Sequence, residues 1–341
     1  MLTKMAAAAW AAGLVFAAAA SAAPRTLEVP ATAAWQHAAT GMVLPSKPAG
    51  FGRTSLADST AEELDVHAQY EAPGEGTRAT VYLYKTGVPD VALWFDRAVA
   101  AILGTPGYGV DRATVPAPAG FARPGETQSS GLSTVLPATG LGLRSTGVAV
   151  VGLGEWLIKL RMSSSSLDPA ALSVRMNAFL AGLRWPAATG AGAPPRPIAA
   201  CAAPLAAKRA KVIRPEMANV LIDLVTADMV ADKAKGPAPV YCRDPAALGP
   251  HGVYRPDGSK RSYLIALNDA GIALSVAPAI SIDELGSGGG KRWSMTLLGR
   301  DTRSALPSFN RLPPPDQALK VWLGGGGPGV SVSTDKGNDT R

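Results

Sequence analysis

The chain has 341 residues, 47% of them hydrophobic and 17% charged, which excludes a disordered polymer and supplies enough core for two domains. Its formal charge of +7 is unevenly placed: residues 23–186 carry 13 basic and 13 acidic side chains, whereas residues 187–341 carry 19 and 13. No run after residue 22 is long and apolar enough to span a bilayer, and two cysteines with three histidines leave little for a metal centre.

The chain opens like a secretory signal. Lys4 supplies the positive charge, an Ala-rich uncharged run follows from Met5 to Ala20, and Ala20-Ser21-Ala22 fits a small-x-small cleavage site. Residues 1–22 are therefore expected to be removed, placing the mature protein in the periplasm or outside the cell. In Leu64–Glu71 the residues alternate: Leu64, Val66, Ala68 and Tyr70 point to a core, and Asp65, His67, Gln69 and Glu71 point away. A second strand is expected over Ala79–Tyr84. A helix then begins at Pro89-Asp90 and carries Val91, Trp94, Phe95, Ala98, Val99 and Ile102 on one stripe, and Gly104 and Pro106 stop it. Strands are expected over 132–136, 147–151 and 156–162. A second helix is capped by Asp168, opens on Pro169 and buries Leu172, Met176, Phe179, Leu180 and Leu183.

Residues 187–197 read as a Pro/Gly/Ala linker. Beyond it a helix is expected from Pro215 to Gly236, with Met217, Leu221, Leu224, Val225 and Met229 on its apolar face. Short strands follow at 240–242, 253–254, 263–267, 272–276 and 293–298, and Asp257-Gly258 signals a hairpin turn. A short helix spans 315–323, and a polar tail runs from 333 to 341. The expected plan is a signal peptide (1–22), an N-terminal α+β domain (23–186), the linker (187–197), a C-terminal α+β domain (198–332) and the tail. Each domain is expected to be a largely antiparallel sheet packed with helices.

Trp35-Gln36-His37, Gly41-Met42-Val43-Leu44-Pro45 and Gly50-Phe51-Gly52-Arg53 together resemble the opening of uncharacterised exported bacterial proteins. Gly154-Glu155-Trp156-Leu157-Ile158-Lys159-Leu160-Arg161 resembles the same group, and the order of elements over residues 26–186 is similar to that of PsbP-like sandwich domains. The resemblance implies no activity.

Cys201 and Cys242 are an even pair in an exported chain, so a disulfide between them is expected. Among candidate bases, His67 shares its strand face with Asp65 and Glu71, which makes a hydrolase site near Asp65 and His67 the alternative to a solvated sheet face. His37 lies beside Trp35 and His251 falls in a Gly-Pro-His-Gly loop. No nucleophile elbow occurs, since Gly131-Leu132-Ser133-Thr134-Val135 lacks its second glycine. Gly286–Lys291 leads into a strand and not the helix that a phosphate loop needs, and Ser333–Lys336 lies in the tail. The expected function is a non-enzymatic binding or envelope-accessory module, without cofactor, metal, nucleic acid or mature transmembrane segment. Its basic C-terminal half, at Lys208-Arg209, Lys260-Arg261 and Lys291-Arg292, is expected to meet an anionic envelope surface.

Overall fold

The computed structural model describes residues 23–187, 193–213, 238–279, 292–324 and 330–333. The expected signal peptide, the helix expected at 215–236, the Gly286–Lys291 stretch and the tail from 334 lie outside the described residues, as does part of the expected linker. In chain order the first half contains β1 (Arg25–Thr26), β2 (Trp35–Gln36), β3 (Val43–Leu44), β4 (Gly52–Asp58), β5 (Asp65–Ala72), β6 (Thr77–Lys85), α1 (Val91–Leu103), β7 (Ala119–Phe121), β8 (Gly131–Pro137), β9 (Ser145–Leu153), β10 (Trp156–Ser164) and α2 (Pro169–Ala181). The second half contains β11 (Ala199–Ala200), β12 (Val212–Ile213), β13 (Tyr241–Leu248), β14 (His251–Pro256), β15 (Tyr263–Leu267), β16 (Ile272–Pro278), β17 (Trp293–Leu298), β18 (Thr302–Phe309), α3 (Pro315–Leu323) and β19 (Val330–Ser333).

The fold is mostly β, which corrects the α+β expectation. One sheet has eight strands in the order β1-β4-β5-β6-β10-β9-β8-β7. The other runs β11-β13-β14-β15-β16-β17-β18-β12, with β19 also on β18, and β2 pairs with β3 in a separate ribbon. Against these stand α-helices of 13, 13 and 9 residues among the described residues. Eight strands at about 4.8 Å spacing are nearly 40 Å wide, whereas a helix with its side chains covers about 10 Å. Most of each sheet face must therefore be covered by something other than helix.

What does the covering differs by face. On one face of the first sheet, α2 packs Leu172, Met176 and Phe179 into a core with Val66, Ala68, Tyr70, Val151, Ile158 and Leu160. Phe179 meets Phe51 and Tyr70 edge-on at 5.2 Å each, contacts worth about 0.5–1.5 kcal/mol apiece beyond their buried area. The rest of that face is closed by Met42, Leu44 and Phe51 from the segment around β3. Buried Arg53 braces that segment, donating from Nη2 to the carbonyls of Pro30 and Ala33, each at 2.9 Å. On the opposite face, α1 lies on β8 and β9, and its core continues into Tyr254, Leu264, Ala266 and Ala273 of the second sheet. The first helix is thus packed between the two sheets. A third core, on the far face of the second sheet, gathers Val253, Tyr263, Ile265, Leu274, Met295 and Phe309 under Ala318 of α3.

The helix ends follow from local chemistry. Asp90 caps α1 by accepting from Leu93 N at 2.7 Å, and Asp168 caps α2 through Ala171 N at 2.9 Å. Two strands that give no alternating signal carry irregularities. The ladder of β4 on β5 shifts between Arg53 and Ser55, and that of β18 on β17 shifts beside Pro307, where a missing amide is tolerated.

Candidate functional site

The Asp65–His67 face alternates as expected: Val66, Ala68, Tyr70 and Ala72 are buried, and Gln69 is exposed. Its outward side is nevertheless not all solvent. The β15–β16 and β17–β18 turns of the second sheet sit on it, and Arg300 Nη2 binds Asp65 Oδ2 at 2.5 Å. From β10, Lys159 Nζ binds Asp269 Oδ2 at 2.6 Å and lies 4.5 Å from the Tyr82 ring centre and 5.3 Å from that of Tyr84. The side chains of Lys159 and Asp269 are only 7% and 14% exposed. Burial pushes the Asp65 carboxyl up against the opposing pull of Arg300 and Lys159, and it raises the Tyr82 and Tyr84 phenols. Tyr84 Oη, Asp269 Oδ1 and Arg300 Nε have no hydrogen-bond partner among the described residues.

The backbones close in at the same seam. Gly87 N donates to Gly271 O at 3.0 Å, and a Cβ on Gly87 would stand 2.4 Å from the Leu298 carbonyl oxygen. From α1, Asp96 binds Arg243 and accepts from Tyr254 Oη at 2.6 Å, while Arg97 Nε donates to Asn268 O at 2.9 Å. The charged positions of α1 therefore hold the second sheet.

Asp65 is thus engaged by Arg300, and His67 sits 6.2 Å from the Tyr82 ring. Among the clefts on the described surface are one of about 350 Å³ along residues 26–31 and 53–56 and one of about 930 Å³ beside the start of α1; neither of these is lined by Asp65 or His67. His37 is buried between Trp35 and Trp156, its Nε2 against Glu63 O at 3.1 Å and its Nδ1 against Thr40 Oγ1 at 2.9 Å. Burial lowers its pKa. His251 accepts at Nδ1 from Asn268 N at 3.2 Å, with its pKa lowered by burial and by Arg97. The three histidines serve three separate environments. Among the described residues no group of His, Cys, Asp and Glu could hold a metal ion.

Cys201 and Cys242 form a disulfide with their Cα atoms 4.9 Å apart, within the span that a disulfide bridges. It staples β11, which runs parallel to β13, onto the edge of the second sheet. The closed loop spans 41 residues, a length for which the chain-entropy account gives about 4 kcal/mol.

The basic clusters meet at one end of that sheet, the end away from the seam. Pro278, Trp293, Phe309 and Val212 are ladder partners in turn across β16, β17, β18 and β12. Arg261, in the β14–β15 turn, accepts at its carbonyl from Trp293 Nε1 at 2.9 Å. Arg292 Nη1 donates to Ser308 Oγ at 2.9 Å; Asn310, which precedes Arg311, donates its backbone N–H to Lys211 O at 3.1 Å and accepts at its side-chain Oδ1 from Lys211 N at 2.9 Å. Lys208, Arg209, Lys211, Lys260, Arg261 and Arg311 are all exposed there. Val212 and Ile213 lie among them, 39% and 36% exposed. Asp316 answers Arg209 at 3.4 Å.

Sequence reasoning missed Lys159, Asp269 and Arg300 because their partners lie more than a hundred residues away in the chain. A signal was available: Val148–Val151 and Trp156–Ile158 are apolar at consecutive positions without alternation, the pattern of strands buried on both faces. Comparison with family models, with curated proteins and with solved structures finds no match for this chain.

Proposed function

We propose that the protein is an exported, non-enzymatic envelope module that docks on an anionic lipid surface through the basic end of its second sheet. The observation that carries this reading is the convergence of Lys208, Arg209, Lys211, Lys260, Arg261 and Arg311 around exposed Val212 and Ile213. Cations beside an anionic bilayer contribute about 1 kcal/mol each, within a Debye length of about 8 Å at physiological salt. The two apolar side chains favour a bilayer over an acidic carbohydrate polymer, which would leave them nothing to enter. The disulfide fits an oxidising compartment, and no helix among the described residues is long and apolar enough to cross a membrane. The hydrolase alternative near Asp65 and His67 lacks comparable support, since Asp65 is bound by Arg300 and neither described cleft reaches the pair.

The test is co-sedimentation of residues 23–341 with phosphatidylglycerol-containing and with pure phosphatidylcholine vesicles. Binding is expected only to the anionic vesicles, weakening steeply with salt. Reversing two cations, Lys260→Glu with Arg261→Glu, is expected to weaken it by about tenfold or more, at about 1 kcal/mol per cation. Equal binding to both vesicle types, or a double variant that sediments like the parent, overturns the reading.

A further inference from the structure

The cleft of about 930 Å³ draws its walls from both sheets, and its volume is at the upper end of the range that encloses small organic ligands. Val91 comes from the start of α1, Leu153 and Trp156 from the β9–β10 hairpin, Ile198 from the segment before β11, and Val240 and Tyr241 from the entry to β13. Such a wall favours a ligand with an apolar body. One flank adjoins the basic end of the second sheet. Val240 N donates to Asp257 Oδ1 at 2.9 Å and Val240 O accepts from Asp257 N at 2.7 Å, in the turn that also carries Lys260 and Arg261.

Most polar side chains of the lining are already spent within the protein. Asp90 accepts from Leu93 N at 2.7 Å as the cap of α1. Arg123 and Glu126 neutralise each other, Nε to Oε1 at 2.7 Å, and are almost fully shielded from water. Thr40 Oγ1 is bonded to the His37 ring and to Met42 N, Ser129 Oγ donates to the carbonyls of Phe121 and Gly131, and Ser130 Oγ accepts from Arg123 N. A sugar or a peptide, with many donors and acceptors to satisfy, would find few of these groups free. Arg196 is different. It is exposed in the lining and, alone among the charged side chains there, has no hydrogen bond or ion pair among the described residues.

The wall thus presents apolar surface and one unanswered positive charge, with further cations in the adjoining turn. We infer that this cleft binds a long-chain carboxylate, its alkyl chain along the apolar wall and its carboxylate on Arg196. The planar guanidinium fork matches a carboxylate through two parallel hydrogen bonds. An alkylammonium of the same length would find the same apolar wall but would face Arg196. Because Arg196 is exposed, its charge orients the ligand and sets the preferred sign, and the chain supplies most of the affinity.

The test is calorimetric titration of residues 23–341, below micelle-forming concentrations, with octanoate, decanoate, dodecanoate and decyltrimethylammonium. One saturable site is expected for the carboxylates. A fully buried methylene is worth about fourfold in affinity, so each two added methylenes are expected to tighten binding by about fivefold or more. Decanoate is expected to bind at least about tenfold tighter than decyltrimethylammonium, and Arg196→Glu to cut that preference by about fivefold or more. Ala92→Trp fills the cleft and is expected to weaken decanoate by about tenfold or more; should this variant fail to fold, the chain-length series and Arg196→Glu decide. No saturable binding, a smaller gain with chain length, a smaller preference for the anion, an Arg196→Glu protein that keeps the preference, or a folded Ala92→Trp protein that binds like the parent overturns the proposal. Vesicle docking is read on Lys260 and Arg261, and this site on Arg196 and Ala92, so the two readings fail separately.

Discussion

Lys159 is a buried cation at the seam, and replacing it shows how the two sheets depend on each other. Its ammonium touches Asp269 at 2.6 Å with both side chains nearly shielded from water. Lys159→Met removes one partner and leaves the Asp269 carboxylate enclosed, with Oδ1 already lacking a bond. Breaking a buried pair in this way costs about 3–5 kcal/mol. Asp269→Asn leaves the ammonium facing an amide carbonyl and the Tyr82 and Tyr84 rings, a partial replacement, so its loss is expected to be smaller, about 2 kcal/mol. The double variant strands no charge and is expected to lose about 2 kcal/mol, giving a coupling energy of about 3–5 kcal/mol. Urea unfolding of residues 23–341, followed by tryptophan fluorescence and by circular dichroism, measures all four proteins. Because the middle core contains residues of both sheets, the two probes are expected to report one coincident transition. A coupling below about 0.5 kcal/mol, within the error of additivity, or a transition split between the two signals, would refute the argument that this seam is a shared core.

Two further outcomes follow from the packing. Gly87→Ala puts a methyl group 2.4 Å from the Leu298 carbonyl oxygen, where only backbone can yield, and is expected to destabilise the fold by about 2 kcal/mol in the same urea assay; an unchanged midpoint would show that the turn moves freely. Burial lowers the His37 pKa in the fold, so the unfolded chain holds more protons and stability contributed by neutral His37 is lost as pH falls from its unfolded value of about 6.5. The stability difference between about pH 7.5 and about pH 5.5 is expected to shrink in His37→Gln, leaving the share that His251 contributes in the same sense. Asp65, Asp90 and Asp96, raised by burial, act in the opposite sense in both proteins and cancel in the comparison. An unchanged difference would remove His37 as a source of the pH dependence.

What could be read in the sequence was local. Both long helices of the first half and the cap at Asp168 follow from apolar period and N-terminal chemistry, while Asp90, expected within the first turn of α1, is its cap. The β5 alternation and the Asp257-Gly258 turn, whose φ angles are 50° and 65°, follow from two-residue period and the left-handed tolerance of those residues. The Cys201–Cys242 disulfide followed from count and compartment. The misjudged fold class has a physical origin: helical stripes announce themselves over a dozen residues, while β7 has three residues, β12 has two, and β4 and β18 hide their alternation behind a bulge or Pro307. The outward face of β5 was read as facing water because periodicity tells which residues share a side, not what lies across from it. Arg300 is 235 residues from Asp65, and no local pattern links them.

The position of α1 between two sheets also sets an order in time. A chain made from its N-terminus completes β1 to α2 while residues 241–309 are still to come. During that interval Trp94, Phe95 and Ala98 can settle on β8 and β9, but Tyr84 and the Asp96–Arg97 side of α1 have no counterpart. The first half therefore waits as a half-closed shell with an apolar wall and a cluster of charges turned outward, the kind of intermediate that sticks to its own copies. Only when β14, β15 and the turn at Asn268–Gly271 arrive does that wall find its cover, so strands from the second half of the chain complete the packing of a helix made in the first.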